Sequence, residues 1–476
     1  MQIATEEAQT QGSLVCFTTS QGMEHRATLL KLTHFQIAFE VCGPNCVLRT
    51  SEVLQDFTIL SGHRQIYSGQ AVVMSLVNIG TVVVCEAALQ DSWIETGLLS
   101  ADLNPEHLRS EFQVFLKRWE KLYKIRSEYK LIIADLHTFM TDMRLWLDQL
   151  ELSIRSLPSG DRLQVERDTV GELARATTPA LTYFFERFEQ TAAQVEQEGR
   201  AAHAEFCRRQ LHPLLMASPF MHRIYVKPLG YAGDYEMVNM ILRDPCEGAS
   251  LFAKLLNVFI LSQAPAIAHR NRVSFLSKML VQETSRAAMA GHRARIMNLG
   301  CGPAKEVQNF LADEEISNMA ELELLDFDEQ TLMHLKQKLE ALKHQHNRRT
   351  QLNIVKRSVQ QVLKQVGKAQ ATRQDYDLIY CAGLFDYLND RTCKTLLASL
   401  YNSLAPGGLL VATNVEKHNP IRNIMEYLFE WHLIYRSAPE FARLAPDQSA
   451  EDAMSVKAEP SGGNIFLEVR KDRLTV

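Results

Sequence analysis

Ile296-Met297-Asn298-Leu299-Gly300-Cys301-Gly302-Pro303-Ala304 is the stretch on which the fold turns. A short apolar strand runs into a glycine-spaced turn, and a helix opens near Lys305. Glycine lacks a Cβ and tolerates positive φ, so such a turn lets backbone approach a ligand closely. The loop alone is a weak signal. A second strand, Leu322-Glu323-Leu324-Leu325-Asp326, follows it and ends in a carboxylate. Together they compose a nucleotide-binding βαβ unit, with the acid placed to hold two ribose hydroxyls.

Further strands extend the pattern. Leu352-Asn353-Ile354-Val355-Lys356 is one, and Asp377-Leu378-Ile379-Tyr380-Cys381 is the next. A helix from Arg391 to Leu404 leads to the turn Ala405-Pro406-Gly407-Gly408 and the apolar strand Leu409 to Thr413. Met454 to Ala458 and Ile465 to Val469 flank Ser461-Gly462-Gly463-Asn464 and read as a hairpin. Parallel strands alternating with helices and closed by a hairpin resemble the class I methyltransferase fold, an α/β Rossmann-like core of seven strands. That resemblance implies S-adenosylmethionine as cofactor. A nicotinamide-binding Rossmann domain, the rival, has no reason to contain the Pro-Gly-Gly turn or the terminal hairpin. Two departures stand out: Asn298 where many members carry an acid, and Ala304 where they carry a third glycine. Asn298 can hydrogen-bond the cofactor's amino acid portion but supplies no charge for its ammonium. Ala304 is expected to have helical φ/ψ.

The chain has 476 residues, enough for two or three domains. Its 46% hydrophobic and 22% charged content are those of a soluble globular protein. A net charge of −5 gives no electrostatic argument for nucleic acid. The acidic start, Met1 to Glu7, lacks an apolar signal core, and no apolar run is long enough to cross a membrane. Nine scattered cysteines suit reduced thiols in a cytoplasm rather than a disulfide framework. Cys42-Gly43-Pro44-Asn45-Cys46 is at most half a metal site, so no metal is expected.

Three domains are expected, at 1–100, 101–285 and 286–476. In the first, Ala27 to Leu32, Phe35 to Val41 and Gln70 to Val77 are short β stretches that suggest a small barrel. The pattern resembles a PilZ domain, a cyclic-di-GMP receptor module. Its ligand motifs have decayed to His25-Arg26 and Lys31-Leu32-Thr33-His34-Phe35-Gln36, so a structural or docking role is expected and cyclic-di-GMP binding is not. The second domain reads helical. Phe112, Phe115, Trp119 and Tyr123 share one helix face, expected to be packed core. Leu157-Pro158-Ser159-Gly160 breaks the run, a helix follows from Val170 toward Gln210, and the charged stretch Gln194 to Arg209 reads as a solvated face. This region can build a substrate pocket or a homodimer interface. Lys227 to Glu236 is a loop in which Asp234 can cap the next helix; it is either a plain connection or a lid presenting Tyr231 or Tyr235 to a cationic donor.

Four strings sharpen the reading. They are Lys227 to Met237, Pro265 to Arg272, Tyr380 to Leu388 and Glu426 to Ser437. They resemble the bacterial family of extracellular-factor biosynthesis proteins, which make 3-hydroxypalmitic acid methyl ester, a quorum-sensing signal. The resemblance implies O-methylation of a 3-hydroxy fatty acid on its carboxylate. Such a carboxylate is ionised at neutral pH and needs no general base. Candidate donors to it are Arg272, Lys227, Tyr231 and Tyr387, the neutral tyrosines being preferable because a direct arginine pair lowers nucleophilicity. An acyl chain needs an apolar tunnel, for which Phe429, Trp431 and Leu433 are candidates, although the same residues can bury a dimer face or core. The class I resemblance assigns cofactor contacts to Asn298, Gly300, Cys301, Gly302, Asp326 and Phe327. Ser358 or Val359 falls near the adenine, and Cys381, Ala382 and Gly383 beside the methionine portion. The alternatives are a regulatory cofactor-binding sensor that signals through its barrel, and methylation of another small molecule, an amine or hydroxyl, which would call for a base.

Overall fold

The computed structural model describes residues 13–366 and 375–472, apart from 34, 43–47, 62–63, 80–81, 91–108 and scattered positions between 111 and 123. Near its start, β1 (Ser13–Thr18) buries every second residue, the signature of a strand with one face on a core. With β2 (Glu24–Leu32), β3 (Gln36–Cys42), β4 (Val53–Ser61), β5 (Arg64–Ile79) and β6 (Val82–Leu89) it forms a closed antiparallel barrel, order β1-β2-β3-β6-β5-β4. Phe17, Phe39 and Phe57 fill it, with ring centroids 5.4 to 5.9 Å apart. Each such buried ring contributes about 1.5–3 kcal/mol. The segment 43–47, with Cys46, lies outside the described residues.

The middle region is helical. Its elements are α1 (Ser127–Arg155), α2 (Ser159–Ala193), α3 (Arg200–Leu215), α4 (Pro219–Val226), α5 (Tyr235–Leu242), α6 (Leu251–Leu261) and α7 (Ala264–Met289). The Leu157-Pro158 break falls where expected, but a second break at 194–199 divides the helix read from Val170 to Gln210. Gln194 to Arg209 is a solvated face only in part: Gln194, Glu196 to Glu198 and Arg209 are exposed, but the arginines between them are not all left to solvent. Arg200 pairs with Glu426 at 3.2 Å and Arg208 with Glu430 at 3.1 Å, so these charges dock onto a segment more than 200 residues further along the chain. The aromatic stripe is corrected too: Phe112 and Trp119 are 59% and 50% exposed, while Phe115 and Tyr123 lie outside the described residues. Among the described residues no single helix is long and apolar enough to cross a membrane.

The last unit contains β7 (Ala294–Leu299), α8 (Lys305–Asp313), β8 (Ala320–Asp326), α9 (Glu329–Gln345), β9 (Gln351–Lys356), α10 (Val359–Val366) and β10 (Tyr376–Cys381). It continues through α11 (Asp390–Asn402), β11 (Leu404–Val415), α12 (Arg422–Phe429), α13 (Ala438–Ala442), β12 (Met454–Ala458) and β13 (Asn464–Arg470). The sheet order is β12-β13-β11-β10-β7-β8-β9. Strands β9, β8, β7, β10 and β11 run parallel; β13 is antiparallel to β11, and β12 pairs antiparallel with β13 at the sheet edge. This is the class I methyltransferase arrangement expected. The Pro-Gly-Gly turn sits inside β11 as a break in register, because Tyr376 pairs Leu404 and Leu378 pairs Leu409. Strand order reverses between β7 and β10, and a ligand crevice opens at such a switch point beyond the carboxyl ends of the strands.

Candidate functional site

A cavity of about 490 Å³ opens at that switch point. Its charged side is built from strand ends. Gly302 has φ +51, and a Cβ there would meet nothing within 4 Å, so the backbone faces open space where a ligand can approach. Its N–H donates to Asp326 Oδ2 at 3.0 Å, and the N–H of Asp328 donates to Oδ1 at 3.1 Å. Each carboxylate oxygen thus carries one donor and keeps a lone pair for a ribose hydroxyl. Burial raises the Asp326 carboxyl above its ordinary value.

The amino acid end has a different origin from the one the sequence suggests. Asn298 donates from Nδ2 to Glu306 Oε1 at 3.1 Å, while its buried Oδ1 has no partner among the described residues. Tyr380 Oη donates to the same Glu306 oxygen at 2.8 Å. Glu306, 6% exposed and raised in pKa by burial, lines the cavity and is the carboxyl group that could answer an ammonium in place of the acid Asn298 lacks. It lies in the first turn of α8, one turn past the glycine loop. That closeness to the glycine loop is the signal in the sequence, a short distance past the strand end where many class I members carry the acid. The orphaned Asn298 oxygen, the buried Glu306 carboxylate and the Asp326 site fit a nucleoside carrying an ammonium group.

Ala304 departs from expectation. It stands at φ 43, ψ 54, in the left-handed region rather than the helical one, because the loop closes back onto α8 through this residue. A non-glycine residue there costs about 1–2 kcal/mol.

Of the other residues proposed for cofactor contact, Gly300, Cys301, Phe327, Val359, Ala382 and Gly383 line the cavity with Asn298, Gly302 and Asp326. Ser358 and Cys381 do not: Ser358 accepts the Gln361 N–H at 3.3 Å, and Cys381 is 1% exposed inside the sheet. Of the candidate acceptor residues, Tyr231, Tyr387 and Arg272 meet in the cavity and Lys227 stays outside it. Lys227 Nζ donates to the Phe429 carbonyl at 3.0 Å, and burial lowers its pKa to about 8. Arg272 packs where a Cβ on Gly383 would lie 3.1 Å from Nη1, and Nη2 is 3.0 Å from Nε2 of His269. Trp431 Nε1 donates to Tyr387 Oη at 3.0 Å. Burial raises both tyrosine hydroxyls and drives His269, beside Arg272, well below its usual value.

The loop that carries Tyr231 is pinned at its far end. Asp234 caps α5 by accepting the Met237 N–H at 2.8 Å and pairs with Arg223 at 2.8 and 2.9 Å. The other side of the cavity is apolar, with Phe220, Ile224, Ile241, Ile260, Met425 and Phe429 contributed by α4, α5, α6 and α12. Trp431 and Leu433 complete it.

Residues 297–410 match a family model described as a methyltransferase domain. S-adenosylmethionine is the cofactor that this domain and its charged cradle call for. No curated protein matches the chain. Among solved structures, a possible exported protein from Bordetella parapertussis is 17% identical, with 63% of this chain and 97% of that one covered at a TM-score of 0.41. Magnesium protoporphyrin IX methyltransferase from Synechocystis is 13% identical, with 53% and 98% covered at 0.35. The N-methyltransferase NodS from Bradyrhizobium japonicum is 13% identical, with 50% and 97% covered at 0.29.

Proposed function

We propose that the chain is an S-adenosylmethionine-dependent methyltransferase that esterifies the carboxylate of a 3-hydroxy fatty acid. One observation carries this reading: a single cavity joins the charged cradle to an apolar arm lined by Phe220, Ile224, Ile241, Ile260, Met425 and Phe429. When bound, the cofactor supplies a methyl group already activated by its sulfonium. The chain has to align an anionic acceptor with it and exclude water. Tyr231 and Tyr387 keep their protons at neutral pH because burial raises them, and both can donate to a carboxylate. Tyr387 accepts from Trp431, which leaves its own proton free for that purpose. His269 is neutral and a weak base, which suits an acceptor that arrives already ionised.

A second reading has one observation in its favour. Asp386 lines the cavity, is 3% exposed and is raised in pKa by burial, so it is placed to act as a base toward a hydroxyl or amine. Its Oδ1 already accepts the Val415 N–H at 2.6 Å.

The test is transfer of radiolabelled methyl to a panel of 3-hydroxy fatty acids, beside Asp326→Ala. Label in an extractable ester, absent in the variant, is the expected result. Cofactor binding with no transfer to any acid sinks the fatty-acid reading and favours a cofactor-binding sensor. Label on hydroxyls or amines, abolished by Asp386→Asn, favours the second reading.

A further inference from the structure

The barrel enters the cavity through Gln21, Arg49 and Thr50. Arg49 is 7% exposed, and its Nη2 has no hydrogen-bond partner among the described residues. The guanidinium lies 4.3 Å from the Phe327 ring centroid and 5.8 Å from that of Tyr231. Two aromatic faces offset part of what burial costs a guanidinium, but they leave the Nη2 donor unanswered. A buried donor facing a ligand cavity without a partner calls for an acceptor on the ligand.

The turn that presents Arg49 is a built feature. Its own N–H donates to Glu52 Oε2 at 3.0 Å, and Glu52 Oε1 takes the Ser20 hydroxyl at 2.6 Å. Ser51, fully buried at φ 61, donates from Oγ to the His432 carbonyl at 2.8 Å. Thr50 N donates to the Tyr387 carbonyl at 3.3 Å, and Val53 N to the Gly230 carbonyl at 2.7 Å. The turn is thereby tied to both tyrosine-bearing loops. A left-handed non-glycine residue held by this many bonds indicates a conformation the surroundings impose.

Under the proposed function two carboxylates enter the cavity, one on the cofactor and one on the acceptor. Arg272 packs against Gly383, and the charges that bear on it are those of Asp386 first and Glu306 next, so it faces the strand-end side of the cavity. Arg49 lies over the Phe327 and Tyr231 rings, and its charge bears on Tyr231, on Tyr387 and on Asp326. We propose that Arg49, delivered by the N-terminal barrel, binds the acceptor's carboxylate, so that the acceptor site is incomplete without the barrel. This rests on the reading of the acceptor as an acid. A single contact through Nη2 orients the carboxylate and leaves its second oxygen free to attack, which a bidentate clamp would hinder.

The full-length chain loaded with S-adenosylhomocysteine is titrated calorimetrically with 3-hydroxypalmitate and with the neutral 1,3-hexadecanediol. The wild type is expected to prefer the acid by about tenfold or more, the range of a charge-assisted hydrogen bond. Arg49→Gln should erase that preference while binding the diol and S-adenosylhomocysteine as before, which also shows that it folds. Arg49→Lys should restore part of it and serves as the test if the Gln variant does not fold. A wild type without preference for the acid, or an Arg49→Gln that keeps the preference, overturns the proposal. So does an Arg49→Gln that loses S-adenosylhomocysteine equally, since Arg49 would then be a cofactor residue. Acid-selective binding through Arg49 with no ester formed leaves the inference standing and sinks the methylation reading instead.

Discussion

Replacing Glu306 by Gln separates two effects that a generic packing defect would merge. Glu306 accepts from Asn298 at 3.1 Å and from Tyr380 at 2.8 Å, and it is the carboxylate placed to answer a cofactor ammonium. Gln keeps the shape and an acceptor oxygen but removes the charge. A hydrogen bond to a charged group is worth about 1.5–3 kcal/mol, so S-adenosylhomocysteine should bind about ten- to a hundredfold more weakly. Methylthioadenosine, which lacks the amino acid, should bind unchanged. Stability should move the other way. Burial raises the carboxyl of Glu306, so the folded chain holds its proton more tightly than the unfolded one does. Stability then falls as pH rises from the unfolded value, near 4.3, through the raised folded value, and the variant should lack that loss. Calorimetry with both ligands and thermal melts of the cofactor-free protein across pH 4 to 8 read both effects. The reasoning fails if the variant binds S-adenosylhomocysteine like the wild type, or loses methylthioadenosine to the same degree.

Three further outcomes are expected. Arg436→Leu should destabilise the chain by about 2–4 kcal/mol in urea unfolding, because it leaves buried acceptors without their donor. The buried guanidinium bonds the Phe385 and Leu388 carbonyls, Asn414 Oδ1 and Asp390 at 2.6 to 2.9 Å; a loss below about 1 kcal/mol contradicts that role. Ala304→Gly removes the left-handed strain of about 1 kcal/mol while adding unfolded-state entropy of similar size, so its melting temperature should match the wild type; a large drop contradicts the left-handed conformation. His432, lowered to about 3 by burial and by Lys227, must stay neutral in the fold. Its unfolded form takes a proton below pH 6.5, so stability falls with pH from there toward 3, and His432→Phe should show a shallower loss in acid melts.

The parallel sheet was legible because its signals are local. The glycine loop, Asp326, the strand at Asp377 and the terminal hairpin each occupy a few consecutive residues and carry their own turn chemistry. Tyr231 and Tyr387 were legible through strings specific to a resemblance, and they meet in one cavity. What escaped depends on tertiary closure. Arg49 reaches the site from a barrel turn at the other end of the chain, and no spacing connects it to Phe327. Lys227 looked like a donor, but at φ 49 it ends α4 and turns its ammonium to the Phe429 carbonyl. Gln194 to Arg209 carried the composition of a solvated face, yet Glu426 and Glu430 on a distant segment answer its arginines. Charge density on a helix shows that partners are required and leaves open whether water or another domain provides them.

The two sides of the cavity come from separable parts of the chain, and the cost of each side differs. Glu306, Asp326 and Asp386 are all pushed toward neutrality by burial, and burial lowers Arg272 as well. A cavity meant only for an apolar chain would be more stable without these groups, since buried charges cost several kcal/mol each unless answered. The three carboxylates sit at the end of β8 or on the segments just after β7 and β10, where the parallel sheet fixes their mutual positions, and Arg272 reaches them from α7. The apolar side comes instead from α4, α5, α6 and α12, which can vary in sequence without disturbing that sheet. Acceptor shape is thus set by helices and cofactor chemistry by strands. A substitution such as Ile260→Trp should therefore shorten the accepted acyl chain and leave S-adenosylhomocysteine affinity unchanged. Equal losses of both would show that the two sides are one mechanical unit and that this division is wrong.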